Sequence, residues 1–292
     1  MDMITHVGDF PSPGQTVQGL SFAVTPGGKG ANQAVALARL GACVSLVGAV
    51  GDDALGRNYL AVLDSEGVDR SMVKTWADET TGTATILVAR GGENQIVIVP
   101  GANGRVSPAA LPPWGQVFQN TTTLLLQLEV PLDTVEAAAR AARNRGVRVI
   151  LDPAPARPLP PELLKSVDIL TPNQTEATLL SGYDASTEAG VQRAAEALLS
   201  TGVGLIIVKA GPRGAYVASP SGLVHVPGFR VDTVDTVAAG DSFNAGLAFA
   251  LGQGDAPETA MRFANAVAAL STTKPGAQAA MPRLSEVRAL LG

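Results

Sequence analysis

The chain has 292 residues, 46% of them hydrophobic and 16% charged, and a net charge of −5 at pH 7. That composition supplies a sizeable core, excludes a disordered chain and, without a clustered basic stripe interleaved with aromatics, argues against nucleic acid as a partner. His6, His225 and Cys43 are the only histidines and the only cysteine, which excludes an intramolecular disulfide and a zinc constellation.

No signal peptide opens the chain and no apolar run reaches about 18 residues, so a soluble, cytoplasmic protein without a membrane partner is expected. The length fits one large α/β domain with a small appendage as well as two average domains. In chain order, residues 3–24 and 80–99 are strand-like, with turn residues and no helix inside them. They are expected to form a small separate sheet, an edge extension of the main sheet being the alternative. Gly27-Gly28-Lys29-Gly30-Ala31-Asn32-Gln33 is a glycine-rich turn that opens a helix with Val35, Leu37 and Leu40 on its apolar positions. It is not a Walker A, because the Lys comes too early, and its Gly spacing is not the dinucleotide fingerprint. Glycines here let a small polar ligand approach the backbone, with Asn32 adding an amide.

Residues 44–50, 123–128, 147–151, 167–170 and 204–208 are nearly continuous in apolar residues and predict strands buried on both faces. Helical patterns at 54–65, 134–145 and 191–200 fall between them, which makes βα units and a parallel sheet. The stretch Asp235-Thr236-Val237-Ala238-Ala239-Gly240-Asp241 then feeds an apolar helix from Phe243 to Leu251. Amides near Ala238, Ala239 and Gly240 are expected to point unpaired above the helix N-terminus, a natural place for a phosphoryl group. Asp241, in the first turn, suits a base that takes a proton from a hydroxyl while the turn stabilises charge on the transferring phosphate. Read by itself, a Gly-Asp before a helix is more simply a cap, and it is the rest of the chain that favours the base.

The two glycine-containing turns together resemble the paired signatures of the PfkB carbohydrate kinases, in their ribokinase branch. The resemblance continues through Gly51-Asp52-Asp53, Thr81-Gly82-Thr83-Ala84, Pro100-Gly101-Ala102-Asn103, Gln127-Leu128-Glu129, Asp152-Pro153-Ala154-Pro155-Ala156, Thr171-Pro172-Asn173-Gln174-Thr175-Glu176, Lys209-Ala210-Gly211-Pro212-Arg213-Gly214 and Lys274-Pro275-Gly276-Ala277-Gln278. It implies an α/β fold of Rossmann-like three-layer type, a mainly parallel sheet flanked by helices, with a β-sheet lid over the sugar that doubles as a homodimer surface. The kinase domain would comprise residues 25–79 and 100–292, the lid residues 3–24 and 80–99, with Met1 and Asp2 at the hinge.

The same resemblance implies that Asp2, Gly27, Gly28, Lys29, Asn32 and Glu129 bind the sugar beside Asp241, with no proton-transfer role for Lys29. On this basis Asn173 faces the nucleotide phosphates and Glu176 organises water around Mg²⁺, whereas spacing alone makes the pair a capping box. Lys209, Ala210, Gly211, Pro212, Arg213 and Gly214 would border ATP with Gly240, and Asn265 would lie near the adenine; by residue type alone the first six are an ordinary turn. Glu129 alone could be a solvated loop residue. K⁺ would be ligated at Asp235, Val237, Ser271, Lys274 and Gly276, largely through backbone carbonyls. At Ala280 the chain departs from the family, which commonly has a Ser hydroxyl there.

A second departure is at the start. Family members open with an apolar strand and a Gly-Ser-x-Asn-x-Asp segment, of which only the final Asp survives here, as Asp2. The expectation is a longer natural protein with a Val/Leu/Ile-rich run before Met1. The function expected is ATP-dependent phosphorylation of ribose at its primary hydroxyl. Alternatives are a deoxyribose, nucleoside or fructose kinase of the same family, or a sugar- or nucleotide-binding protein without turnover. Fructose 6-phosphate is disfavoured because no added basic cluster is present for a second phosphate.

Overall fold

The computed structural model describes residues 1–292. Strands β1 (Asp2–Val7) and β2 (Gly19–Thr25) pair antiparallel, and the glycine turn after them opens helix α1 (Lys29–Arg39). Strand β3 (Ser45–Gly51), helix α2 (Ala54–Ser65) and strand β4 (Asp69–Trp76) make a βαβ unit with β3 and β4 parallel. An antiparallel pair, β5 (Thr83–Val88) and β6 (Asn94–Val99), precedes the one-turn helix α3 (Trp114–Val117). Then come β7 (Thr123–Leu126), α4 (Leu132–Arg143), β8 (Arg148–Leu151), α5 (Pro161–Leu164), β9 (Ile169–Leu170), α6 (Gln174–Ser181), α7 (Glu188–Leu199) and β10 (Leu205–Lys209). The hairpin β11 (Ala215–Ser219) and β12 (Gly222–Val226) follows, and helices α8 (Ala239–Gly252), α9 (Pro257–Ser271) and α10 (Leu284–Leu291) complete the chain.

The main sheet runs β12-β11-β10-β9-β8-β7, parallel from β7 to β10 and antiparallel at β11 and β12. Its apolar runs feed two cores by alternation. In β8, Val149 and Leu151 face the core built with α4 and α7, while Ile150 faces the core built with α8 and α9; in β10, Ile206 and Val208 divide from Ile207 in the same way. A strand that must fill both faces has no polar side to show, which explains the continuous hydrophobicity. On the α8 side the packing is close: a methyl on Gly246 would lie 2.9 Å from Ala264 Cα.

Several strand limits differ from the sequence expectation. The run 167–170 yields only Ile169–Leu170, because the Asp168 carboxylate accepts the Val149 N–H at 2.8 Å in place of a regular ladder bond. The run 123–128 ends at Leu126, and Leu128 instead donates its N–H to Ala154 O at 2.9 Å. Strand β4 escapes the sequence pattern, since Asp69, Arg70, Ser71 and Lys74 interrupt its apolar residues, and so does the short β12. The β3–β4 pair shares no ladder with the main sheet; Val47 and Met72 pack against the large core instead.

A four-stranded sheet in the order β2-β1-β5-β6 stands apart, with parallel β1 and β5 at its centre. Its register puts Phe22, Thr5, Leu87 and Gln95 in one row and Val24, Met3, Thr85 and Val97 in the next, on one face. Thr25, Asp2, Ala84 and Ile98 form a row on the other. Asp53 anchors this sheet to the βαβ unit. Its Oδ1 caps α2 at the Gly56 N–H (2.7 Å) and also accepts the Thr81 hydroxyl (2.7 Å), while Oδ2 accepts the Thr81 N–H (2.7 Å), two residues before β5. These bonds hold the Asp53 carboxyl below the usual range against the opposing effect of burial. Gly51-Asp52-Asp53 and Thr81-Gly82-Thr83 are thus two halves of one joint.

Candidate active site

Asp241 is the centre of the site. The apolar helix α8 is preceded by Ala238, its N-cap, whose φ of 58° places a non-glycine residue in the left-handed region. That turn aims the first-turn amides outward. The Ala239 N–H is taken by Thr236 O at 3.2 Å, so the expectation of a free amide at Ala239 is corrected; the N–H groups of Ala238, Gly240 and Asp241 donate to no backbone or side-chain acceptor. Unpaired donors at the positive end of a helix make an anion-binding nest.

Both Asp241 oxygens are held by side-chain amides from α1: Asn32 Nδ2 donates to Oδ2 and Gln33 Nε2 to Oδ1, each at 3.0 Å. The amides are themselves tied down. Asn32 Oδ1 accepts from Gln278 Nε2 (3.1 Å), Gln278 also donates to Tyr59 (3.1 Å), Tyr59 donates to Gly27 O, and Gln127 donates to Gln33. Burial pushes the Asp241 carboxyl upward, and Asp152 adds to this, while Lys29, Asn32 and Gln33 oppose it. A rigid carboxylate with raised basicity beside an anion nest can take a proton from a hydroxyl whose oxygen attacks there.

The glycine turn forms a second wall. Gly28 has φ 88°, and a methyl on Gly27 would collide with the Asp2 carboxylate. The Lys29 N–H at the start of α1 donates to Glu129 Oε2 at 2.8 Å, so Glu129 is a half-buried helix-terminal acceptor rather than a solvated loop residue. Burial raises the carboxyls of Asp2 and Glu129. Burial would lower the Lys29 ammonium, but Asp241, Asp152, Glu129 and Glu176 keep it above the ordinary lysine range. Asp2, Gly27, Gly28, Lys29, Asn32, Glu129 and Asp241 therefore converge in one polar cluster.

Beyond the nest, Asn173 and Glu176 form a complete capping box on α6: Asn173 Oδ1 accepts the Glu176 N–H (2.8 Å) and Glu176 Oε2 accepts the Asn173 N–H (2.7 Å). Burial nevertheless raises Glu176, partly offset by Lys209. The turn from Ala210 to Gly214 closes with Ala210 N–H to Gly214 O at 2.8 Å, and Gly214, at φ 94°, fits against Val226 O with no room for a side chain. Arg213 reaches back to Gln174 Oε1 at 2.8 Å. The Asn265 amide donates to Val226 O (3.0 Å) and Pro227 O (3.1 Å), so it fastens the end of β12 to α9.

Asp235 ties together two of the residues expected around potassium: Oδ1 accepts the Val237 N–H (3.0 Å) and Oδ2 the Gly276 N–H (2.8 Å). The carbonyls of Val237, Lys274 and Gly276 accept no backbone hydrogen bond. Ser271 Oγ donates to Ala268 O at 2.8 Å, Lys274 Nζ pairs with Glu286, and Ala280 is buried without a side-chain oxygen. No group of three or more His, Cys, Asp or Glu side chains is placed to enclose a metal. Sequence reasoning gives no separate role to Gln33, Gln127, Asp152, Tyr59 or Gln278. Gln33, Gln127, Asp152 and Gln278 lie inside conspicuous motifs but beside more reactive neighbours, and nothing local marks Tyr59.

Comparison with known proteins gives a consistent result. The family described as pfkB family carbohydrate kinase matches residues 1–284. The ribokinase of Bacillus subtilis is 41% identical over 291 residues, covering 100% of this chain and 96% of that protein. The deoxyribokinase of Salmonella typhi is 36% identical over 287 residues, with 98% and 94% covered. Among solved structures, Arabidopsis thaliana ribokinase complexed with ribose and ATP superposes with a TM-score of 0.94 at 34% identity, covering 99% of this chain and 95% of that one.

Proposed function

The chain belongs to the pfkB family of carbohydrate kinases and is a sugar kinase, and we propose that it phosphorylates D-ribose at its primary hydroxyl with ATP. The observation that carries this reading is the buried Asp241, pinned at both oxygens and adjoining the unpaired amides of Gly240 and Asp241. The hydroxyl proton passes to Asp241, the hydroxyl oxygen forms its bond to the γ-phosphorus, and the bond to the β,γ-bridging oxygen breaks to release ADP. The nest at Ala238, Gly240 and Asp241 receives the charge on the transferred group. Asp2, Gly27, Gly28, Lys29, Asn32 and Glu129 hold the sugar. Lys209 to Gly214 and Asn173 line the nucleotide, and Asn265 shapes its adenine end by holding Val226 and Pro227 in place.

Glu176 is the residue suited to Mg²⁺. A lone carboxylate beside the phosphates fits an ion that keeps most of its waters, and the ion would supply charge neutralisation on the phosphates. Potassium fits the carbonyls of Val237, Lys274 and Gly276 with Ser271 and Asp235 nearby, and would stiffen the turn at Ala238; Ala280 leaves that set one oxygen short. The four-stranded sheet acts as a lid. Its exposed Leu20, Phe22 and Val24, with Val97 and Val99 on the same face, suit a second copy and a homodimer. No helix is long and apolar enough to cross a membrane.

Deoxyribose is the second substrate reading, favoured by the Salmonella relative. Coupled ADP release with ribose, deoxyribose, fructose and adenosine tests both: the highest kcat/KM is expected for ribose, and a preference for any other acceptor would displace it.

A further inference from the structure

Lys209, the last residue of β10, reaches past its own turn. Its Nζ lies 2.8 Å from Asp152 Oδ1, with the two side chains only 13% and 4% exposed. A methyl built on Gly240 would lie 3.5 Å from the same Nζ. The ammonium therefore stands over the first residues of α8, where the Gly240 and Asp241 amides are unpaired. Of its three donors, one is taken by Asp152 and the others have no protein partner. Asp152 Oδ2 in turn accepts from Gln33 Nε2 (3.4 Å), the same nitrogen that donates to Asp241 Oδ1 (3.0 Å). One amide thus ties the carboxylate that holds the cation to the carboxylate placed as the base.

A buried ion pair adds little net stability. Its value here lies in its position. A cation fixed beside amides that already point at an anion supplies charge where negative charge gathers during phosphoryl transfer, and it needs no reorganisation at that moment. We propose that Lys209 is a further catalytic residue, its ammonium binding an equatorial oxygen of the transferring phosphoryl group, with Asp152 as the residue that positions it. Lys209 keeps its proton throughout; the hydroxyl proton still goes to Asp241 and the bridging-oxygen bond still breaks to ADP. The inference rests on the reading of Asp241 and the α8 nest as the site of phosphoryl transfer.

The test compares wild type, Lys209→Met, Lys209→Arg, Asp152→Asn and the double variant Lys209→Met/Asp152→Asn, using whichever panel sugar the wild type turns over best. The double variant leaves no unpaired buried carboxylate, which keeps the experiment interpretable if Lys209→Met unfolds. Lys209→Met and the double variant are expected to lose about 10²-fold in kcat, the scale of a removed transition-state donor, with sugar KM and ADP affinity little changed. Both should also lose the extra affinity for ADP with aluminium fluoride over ADP alone. Lys209→Arg should retain most of the rate, and Asp152→Asn should fall between, without adding to the loss in the double variant. A folded Lys209→Met or double variant keeping more than half the wild-type kcat, or losing only ATP affinity, overturns the catalytic role. Wild-type rates in Asp152→Asn overturn its positioning role. An unaffected Asp241→Asn would instead overturn the underlying reading of the site, and a different preferred sugar would change the substrate alone.

Discussion

The floor of the site and the four-stranded sheet beside it use burial in opposite ways. In the floor, Asp241, Asp152, Asn32, Gln33 and Gln278 are polar and nearly inaccessible, and amide side chains connect them. In the sheet, Leu20, Phe22, Ile96, Val97 and Ile98 are apolar and more than half exposed. Buried polar groups are costly unless partnered, as the Asp241 and Asp152 carboxylates are, and exposed apolar surface is the kind that suits a contact. The floor suits chemistry because the chain withholds water there, and the sheet is the surface on which the proposed association would rest.

The sharpest way to break that contrast is at Asp241. Asp241→Asn is expected to lower kcat by at least about 10²-fold, the scale of general-base catalysis, while sugar affinity changes little. Single-turnover kinetics decides the matter; a variant above half the wild-type rate would remove the base. Next in size is Gly27→Ala, which drives a methyl into the Asp2 carboxylate. Displacing one sugar ligand should raise sugar KM on the order of tenfold with the fold retained, and an unchanged KM would show that Asp2 does not hold the sugar.

A pH profile sharpens the comparison from the side of the floor. Burial raises the Asp241 carboxyl, so the acid limb of kcat should fall at a pH above the ordinary aspartate range, as the base becomes protonated. The effect on stability has the opposite sign. A carboxyl raised in the folded state stabilises the fold when protonated, and that contribution is lost as pH rises through the folded value. Acidification through this window should reduce turnover without reducing the Asp241 contribution to melting temperature. An acid limb at the ordinary aspartate value would contradict this.

On the sheet, Phe22→Ser with Val97→Ser should shift sedimentation toward monomer while altering the stability of each chain by only about 0.5 kcal/mol, the usual scale for exposed positions. A dimer of unchanged strength would clear that face of any role. The smallest effect belongs to Ala280→Ser. In a potassium titration at constant ionic strength, the variant should reach half-activation at a severalfold lower concentration, through one added oxygen ligand of the kind that charged groups favour. Superimposable curves would remove Ala280 from the cation site.

The floor and the sheet also differ in how much their sequences reveal. Helix α2 matches its expected limits, Ala54 to Ser65, because a capping Asp53 and a regular apolar period agree. The glycine turn and the α8 start are legible because small residues clustered at a helix entry serve chiefly to bring a ligand close to backbone amides. Gln33 and Asp152 do not stand out, since an amide bridging two carboxylates separated from it by 119 positions or more leaves no local trace. Ala239 reads as a free donor in the sequence because its bond to Thr236 O depends on the left-handed turn at Ala238, which an alanine does not advertise. Asn265 has a definite structural task, yet only the tertiary contact with β12 reveals it.

Asp2 is both the first residue of β1 and the carboxylate that lies against Gly27. On the proposed reading of the sheet as a lid, a swing about its Asp53–Thr81 joint would carry Asp2 with it, as one end of a lever. Burial, with Asp241 and Asp2 nearby, raises the Glu129 carboxyl, so three carboxylates already share one side of the site. A sugar, on the proposed function, would present hydroxyl donors to these oxygens and relieve their mutual repulsion. Sugar occupancy and closure of the sheet would then, on that function, be one coupled event, expected only with an acceptor present.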